Sequence, residues 1–256
     1  MSKPRRVGLI VPSSNVTMET EIPEMLRRRA EVAPETFTVH ASRMRMRRVT
    51  KDELIEMDED SDRCAIELAD ARPDALAYAC LIAIMAQGRG YHVESEARLT
   101  QVAADHGAAA PVVSSAGALV RALSALGARR VAMVAPYLQP LTQLVIDYLG
   151  AWSIEVVDAV SLEVPDNLEV AQIDPMGLIV HADGLDRRGA DALVLSACVQ
   201  MPSLPAIAAA EERFGLPVLS AATATVFDLL GRLELAPVVP RAGRLLSGSV
   251  GAPPAR

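Results

Sequence analysis

The sequence predicts an α/β protein made of two related lobes, each a mostly parallel sheet flanked by helices. Three observations carry this expectation. Strand-like apolar runs alternate with helical patterns along the 256-residue chain, the mark of strands joined by crossover helices. The two halves resemble each other: Arg6-Val7-Gly8-Leu9-Ile10-Val11-Pro12 matches Arg130-Val131-Ala132-Met133-Val134-Ala135-Pro136, and Pro111-Val112-Val113-Ser114-Ser115-Ala116 matches Pro217-Val218-Leu219-Ser220-Ala221-Ala222. The repeat spacing is on the order of a hundred residues, too long for a solenoid and suited to a duplicated domain. Finally, hydrophobic residues make up 51% of the chain and aromatics only 3%, so the core must be aliphatic, as where helices cover parallel strands.

Arg6–Pro12 reads as a first buried strand, followed by the polar segment Pro12-Ser13-Ser14-Asn15-Val16-Thr17 and a helix. Phe37–His40 is a short strand, and Arg43-Met44-Arg45-Met46-Arg47-Arg48 alternates charge with Met, as a strand edge or loop with one covered face does. Thr50-Lys51-Asp52-Glu53 has capping-box form, with Thr50 as N-cap and Glu53 reaching back. The helix after it carries Leu54, Met57, Cys64, Ala65 and Leu68 on one face and is expected to break near Asp60-Ser61. Ala75–Cys80 is a buried strand whose continuation, Leu81-Ile82-Ala83-Ile84, reads as a helix start. A further strand at Pro111–Ala116 opens a helix from about Ala116 to Leu126.

The second half repeats the plan. Arg130–Pro136 is its first strand, Ser161–Val164 another, and Pro165-Asp166-Asn167 a turn. Leu193–Cys198 is a buried strand, after which Pro202 marks a possible helix start. Pro217–Ala222 leads into a last helix, Ala222–Leu233, with a Pro- and Gly-containing tail (Val238–Arg256) whose end is expected to be loose. If the halves are equivalent, that last helix returns to the first lobe. The expected division is residues 1–114 plus 221–256 for one lobe and 115–220 for the other.

Composition narrows the function. A net charge of −7 argues against general nucleic-acid binding, and means that an anionic ligand needs locally placed donors. No apolar stretch is long enough to span a bilayer, and the basic start leads into a strand rather than a signal peptide. Three cysteines without metal-type spacing suggest reduced thiols in a cytoplasm. The four histidines form no spaced ligand cluster, so no metal is expected. No glycine fingerprint of a dinucleotide site follows the first strand. Neither lysine, Lys3 or Lys51, follows a buried strand, which disfavours a pyridoxal Schiff base.

Two thiols remain as the chemistry. Cys80 and Cys198 end equivalent strands in the repeat, at the edge where α/β sheets keep their ligands. A single buried Cys in such a core is ordinarily a small hydrophobe. The pairing is what sets these two apart, because facing thiols can act on opposite sides of a planar carbon centre without a cofactor. Amide groups at the start of the helix after Cys80 favour a thiolate there. Cys64 lies on an apolar helical face and reads as packing. Asn15 offers an amide that can donate to a carboxylate without changing protonation, Tyr137 a hydroxyl in the equivalent loop, and Asn167 an amide beyond a strand end. The bland readings are a capped loop for Asn15, a packing tyrosine for Tyr137 and a plain turn for Asn167.

These motifs resemble those of maleate cis-trans isomerases, in the aspartate/glutamate racemase superfamily. The likeness runs through Val11-Pro12-Ser13-Ser14-Asn15-Val16-Thr17-Met18-Glu19-Thr20-Glu21, Asp62-Arg63-Cys64, Tyr78-Ala79-Cys80-Leu81, Val134-Ala135-Pro136-Tyr137, Pro165-Asp166-Asn167-Leu168-Glu169 and Leu195-Ser196-Ala197-Cys198-Val199-Gln200-Met201-Pro202-Ser203, and covers nearly all but the tail. The resemblance implies two Rossmann-like (flavodoxin-like) lobes related by a pseudo-twofold axis, with the site between them, and a homodimer. It implies Cys80 as nucleophile, Cys198 as acid/base, and Asn15, Tyr137 and Asn167 as holders of a small dicarboxylate. The expected reaction is conversion of maleate to fumarate through a succinyl-cysteine adduct, with Cys80 resting as thiolate and Cys198 as thiol. Three rivals stay open: a two-cysteine racemase of aspartate- or glutamate-like acids, a malonate-type decarboxylase, and a dicarboxylate-binding module whose cysteines merely pack.

Overall fold

The computed structural model describes residues 3–251. The first lobe begins with β1 (Arg5–Pro12), α1 (Met18–Arg29) and β2 (Phe37–Met44). It continues with α2 (Lys51–Asp58), α3 (Ser61–Ala69), β3 (Ala75–Tyr78), α4 (Leu81–Ala86), α5 (Tyr91–Asp105) and β4 (Val112–Ser114), and α6 (Ser115–Ala125) follows. The second lobe holds β5 (Arg130–Ala135), α7 (Gln139–Gly150), β6 (Glu155–Ser161), α8 (Asn167–Val170), α9 (Gly177–Asp183), β7 (Ala192–Ser196), α10 (Ile207–Phe214) and β8 (Val218–Ser220). The last helix, α11 (Ala221–Arg232), precedes a single 3-10 turn at Arg244–Leu246.

Each lobe is a four-stranded parallel sheet, ordered β2-β1-β3-β4 in one and β6-β5-β7-β8 in the other. The identical order bears out the duplication read from the sequence. Central strands are buried on both faces, which is why β1, β3, β5 and β7 read as unbroken apolar runs. Each fully buried Leu, Ile or Val there contributes about 1.5–3 kcal/mol. A Cβ at Gly8 in β1 would stand 2.3 Å from the Leu76 side chain on β3, so any larger residue there would force Leu76 to shift.

Helix α11 packs on β3 and β4 of the first sheet and on α1, and lies against α6. A buried ionic cluster joins the same helices: Arg121 on α6 bonds Asp228 on α11 at 2.6 Å and Glu96 on α5 at 2.7 Å. Removing one member would strand the others, at a cost of about 3–5 kcal/mol. Among the described residues, no helix is long and apolar enough to cross a membrane.

Several local expectations change. The strand foreseen at Ser161–Val164 lies earlier, at Glu155–Ser161. It is a half-exposed edge strand with Asp158 inside it and a register shift opposite Val131/Ala132. Leu162 and Val164 only prolong its bonding, donating their N–H groups to Ala135 and Pro136. No helix starts at Pro202. The N–H groups of Ser203 and Leu204 instead reach the buried Glu21 carboxylate on α1 at 2.6 and 2.7 Å, and helix begins at Ile207. Thr50 does cap α2, accepting from the Glu53 N–H, but the Glu53 carboxylate turns to the N–H groups of Arg47 and Arg48 rather than back to Thr50. The foreseen break falls between α2 and α3. In the tail, Val239, Leu245 and Leu246 are buried, so this part packs; residues 252–256 lie outside the described region.

Candidate active site

The two sheets present the C-terminal ends of their strands to one shared cleft. Its inner chamber, about 20 Å³, is lined by Asn15, Cys80, Tyr137, Asn167, Cys198 and Gln200, with Met46, Val49 and Ile82 among its apolar walls. All five residues singled out in the sequence therefore meet in one chamber. Val49, Tyr137, Asn167 and Cys198 also border a wider outer chamber of about 170 Å³, whose walls include Leu138, Leu141, Val164 and Val170 and whose rim carries Arg48.

Each side chain is aimed by the turn that carries it. Cys80 stands two residues beyond β3, in extended conformation at the N-cap of α4. The N–H groups of Ile82 and Ala83 hydrogen-bond to its sulfur and favour the thiolate. Burial outweighs them and pushes the Cys80 thiol up to about 12, helped by the charges of Cys198 and Asp58. Cys198 sits at the equivalent place beyond β7, in a turn braced by the Ser196 hydroxyl, which donates to the Cys198 and Met201 carbonyls. Burial raises its thiol as well, opposed by the Tyr137 hydroxyl and the N–H groups of Gln200 and Met201. The Gln200 N–H lies 3.3 Å from its sulfur. Burial works against charge on both sulfurs, including the thiolate expected at Cys80, and Cys198 has one donor more than Cys80 to offset it.

Asn15 is buried in the turn after β1. Its Oδ1 accepts from the Thr17 and Met18 N–H groups at 3.1 and 2.9 Å, tying it to the start of α1. Its Nδ2 donates across the cleft to the Val199 carbonyl at 3.3 Å, which leaves a second amide hydrogen. Asn167 opens α8, where Asp166 caps the helix, and its Nδ2 donates to the Ser14 hydroxyl at 2.8 Å. Tyr137 follows β5 with its hydroxyl against Cys198, and burial keeps it protonated. Arg43 steadies the Asn15 turn from β2, donating to the Ser13 and Asn15 carbonyls at 2.7 and 3.0 Å. Ser13 and Thr17 are spent structurally, on the Met46 backbone and the Gln200 carbonyl. Cys64 is buried on α3, away from the chamber, as expected of a packing thiol.

Among the described residues the chamber lining carries no charged side chain. Two thiols, two amides, a hydroxyl and backbone N–H groups can grip carboxylates while leaving sulfur free to bond carbon. Sequence reasoning missed Gln200 and the covering residues Met46 and Val49. The signal for Gln200 was its place two residues after Cys198, where the first half has Ile82 two residues after Cys80.

Two parallel α/β lobes, each placing one thiol from the same strand position in a shared cleft, define a two-cysteine class of protein. The sequence model of arylmalonate decarboxylase matches residues 7–246. The chain is 62% identical to maleate isomerase of Geobacillus stearothermophilus, over 97% of this chain and 99% of that one. Its fold matches a crystal structure of maleate isomerase from Pseudomonas putida S16 with maleate, with a TM-score of 0.96 at 55% identity, covering 97% and 99% of the two chains. It also matches a cysteine-to-serine mutant of Nocardia farcinica maleate cis-trans isomerase with a covalently bound succinylcysteine intermediate, with a TM-score of 0.92 at 47% identity, covering 96% and 99%. The chain belongs to the maleate isomerases of the arylmalonate decarboxylase family.

Proposed function

We propose that this protein is an enzyme that converts maleate to fumarate through a succinyl adduct on Cys80. The observation that carries the reading is the pair of thiols from equivalent strand ends, lining one chamber with three uncharged carboxylate donors. A C=C bond cannot rotate, so the reaction needs a temporary single bond. The surroundings of the sulfurs support a division of labour. Cys198, reacting as the thiolate that Tyr137 and two N–H groups back, takes the Cys80 proton as the Cys80 sulfur bonds one olefinic carbon. The electron pair of the double bond moves to the other carbon, which the Cys198 thiol then protonates. The central bond turns, Cys198 removes a proton from that carbon, and the C–S bond breaks to release the trans diacid. Thiol and alkene add and separate with no net loss of atoms or electrons. Asn15 and Asn167 hold the carboxylates throughout, and Tyr137 turns its one hydroxyl hydrogen from the Cys198 sulfur to a carboxylate once that sulfur has taken up the proton.

The division into residues 1–114 plus 221–256 and 115–220 is proposed alongside, supported by the docking of α11 on β3 and β4. A homodimer working in the cytoplasm is likewise proposed; light scattering on the purified protein checks the first point.

The test is an NMR time course of purified protein with maleate and no added cofactor, followed by mass spectrometry after acid quenching. Fumarate should appear and a succinyl increment should sit on a Cys80 peptide. Maleate left unchanged by folded protein would sink the proposal.

A further inference from the structure

We propose that Gln200 is a positioning residue whose side-chain amide holds the carboxylate-binding segments of both lobes in register on the Cys198 turn. The inference rests on the isomerase reading above and assigns a task to a residue outside the two thiols and their three polar companions.

The observations converge on one buried side chain, 2% exposed. Gln200 Nε2 donates to the Ser14 carbonyl at 2.9 Å and to the Asn167 carbonyl at 2.8 Å. Its Oε1 accepts from the Val16 N–H at 3.0 Å. Its backbone carbonyl accepts from the Thr17 hydroxyl at 2.7 Å, and its backbone N–H lies 3.3 Å from the Cys198 sulfur. Both donor hydrogens and the acceptor of the amide are therefore used. They bracket Asn15 on both sides and fix the backbone of Asn167. Only a primary amide offers two donors and an acceptor in one neutral side chain; a carboxylate would face two carbonyls with nothing to donate.

The geometry explains why these bonds bear on the reaction rather than on folding alone. Asn15 comes from the first lobe, Asn167 and Cys198 from the second. A diacid gripped from both lobes reacts only if its olefinic carbons sit between the sulfurs, and small displacements of the grip are costly. The Gln200 side chain ties the Asn15 turn to the Asn167 helix start, while its backbone N–H lies in the Cys198 turn against the sulfur. Its counterpart in the repeat, Ile82, has no polar side-chain atom, so the register is set from one lobe.

The test compares wild type, Gln200→Leu and Gln200→Glu, each checked for folding by circular dichroism. For Gln200→Leu, kcat/KM for maleate should fall about 10²-fold, mostly through kcat, as expected for a substrate held out of line with the sulfurs. Alkylation of Cys80 by iodoacetamide, which needs no carboxylate grip, should stay within about twofold. Gln200→Glu should recover relative to wild type as pH falls from about 8 to about 5, because a protonated carboxyl regains a donor. A purely structural side chain would not produce that pH-dependent ratio. Should Gln200→Leu fail to fold, Gln200→Glu carries the test. Calorimetric binding of maleate to Cys80→Ala, with and without Gln200→Glu, reads the grip without turnover, so it separates this inference from the isomerase reading. A kcat within about twofold of wild type in folded Gln200→Leu, or a flat ratio for Gln200→Glu, would overturn the assignment.

Discussion

The two lobes have the same strand order and place a cysteine beyond the same strand, yet they surround it differently. Cys80 faces the N–H groups of Ile82 and Ala83, with the Asp58 charge working against ionisation. That Asp58 carboxylate is held by the Tyr91 hydroxyl at 2.6 Å. Cys198 faces a tyrosine hydroxyl and two N–H groups, and carries Gln200 beside it. A duplicated fold delivers two thiols to one cleft, but it does not make them chemically equal. Their neighbours set which sulfur more readily bears charge. The pattern supports Cys198 as the group that moves the proton and Cys80 as the group that bonds carbon.

Breaking the comparison outright gives the largest effect. Cys80→Ser should lose about 10³-fold or more in kcat, because a serine hydroxyl is far less ionised than a thiol. Cys198→Ser should also be severely impaired, yet a succinyl increment should still be found on Cys80. An adduct confined to Cys198 in the wild type would reverse the two roles.

Removing the donor behind Cys198 comes next. Tyr137→Phe should cost about 10²-fold in turnover, the scale of losing one donor aimed at developing charge. An unchanged kcat would mean that Cys198 needs no such partner.

Titration sharpens the contrast. Both thiols lie above their ordinary range, so the ionised fraction of the pair grows with pH throughout the neutral region. The wild-type kcat/KM should therefore climb about tenfold per pH unit between about pH 7 and 9, without bending near the ordinary thiol value. Asp58→Asn removes a like charge, so Cys80 should ionise at lower pH and its alkylation should speed up by several-fold at neutral pH. No change in alkylation rate would free Asp58 of any influence on Cys80.

The smallest effect is expected away from the cleft. Cys64→Ser buries a hydroxyl where a thiol packed, and should cost about 1–3 kcal/mol of stability in denaturant titration. Turnover of the folded variant should stay within about twofold of wild type. A large loss of activity would tie the third cysteine to the chemistry after all.

Local pattern made much of this protein legible from the chain alone. Residues 7–12, 75–78, 131–135 and 192–196 are buried on both faces, so they read as continuous strands. Their repetition exposed the duplication, and with it the matching positions of Cys80 and Cys198. The strand Glu155–Ser161 was misplaced because an edge strand is half-exposed and tolerates Asp158 inside it, which weakens the signal.

What the tertiary structure alone decided is what happens between segments distant in the chain. Gln200 reaches Ser14 and Val16 across more than 180 positions of sequence separation, and nothing local to Val199-Gln200-Met201 announces that reach. Glu21 pulls Ser203 and Leu204 out of a helix in the same way. The ionisation of the thiols was also undecidable from sequence, because helix-start amides and burial act in opposite directions. Residue order identifies the amides, but the amount of water removed depends on how two lobes close over one another. Periodicity is a property of neighbours along the chain, whereas burial and cross-lobe hydrogen bonds are properties of the packed whole.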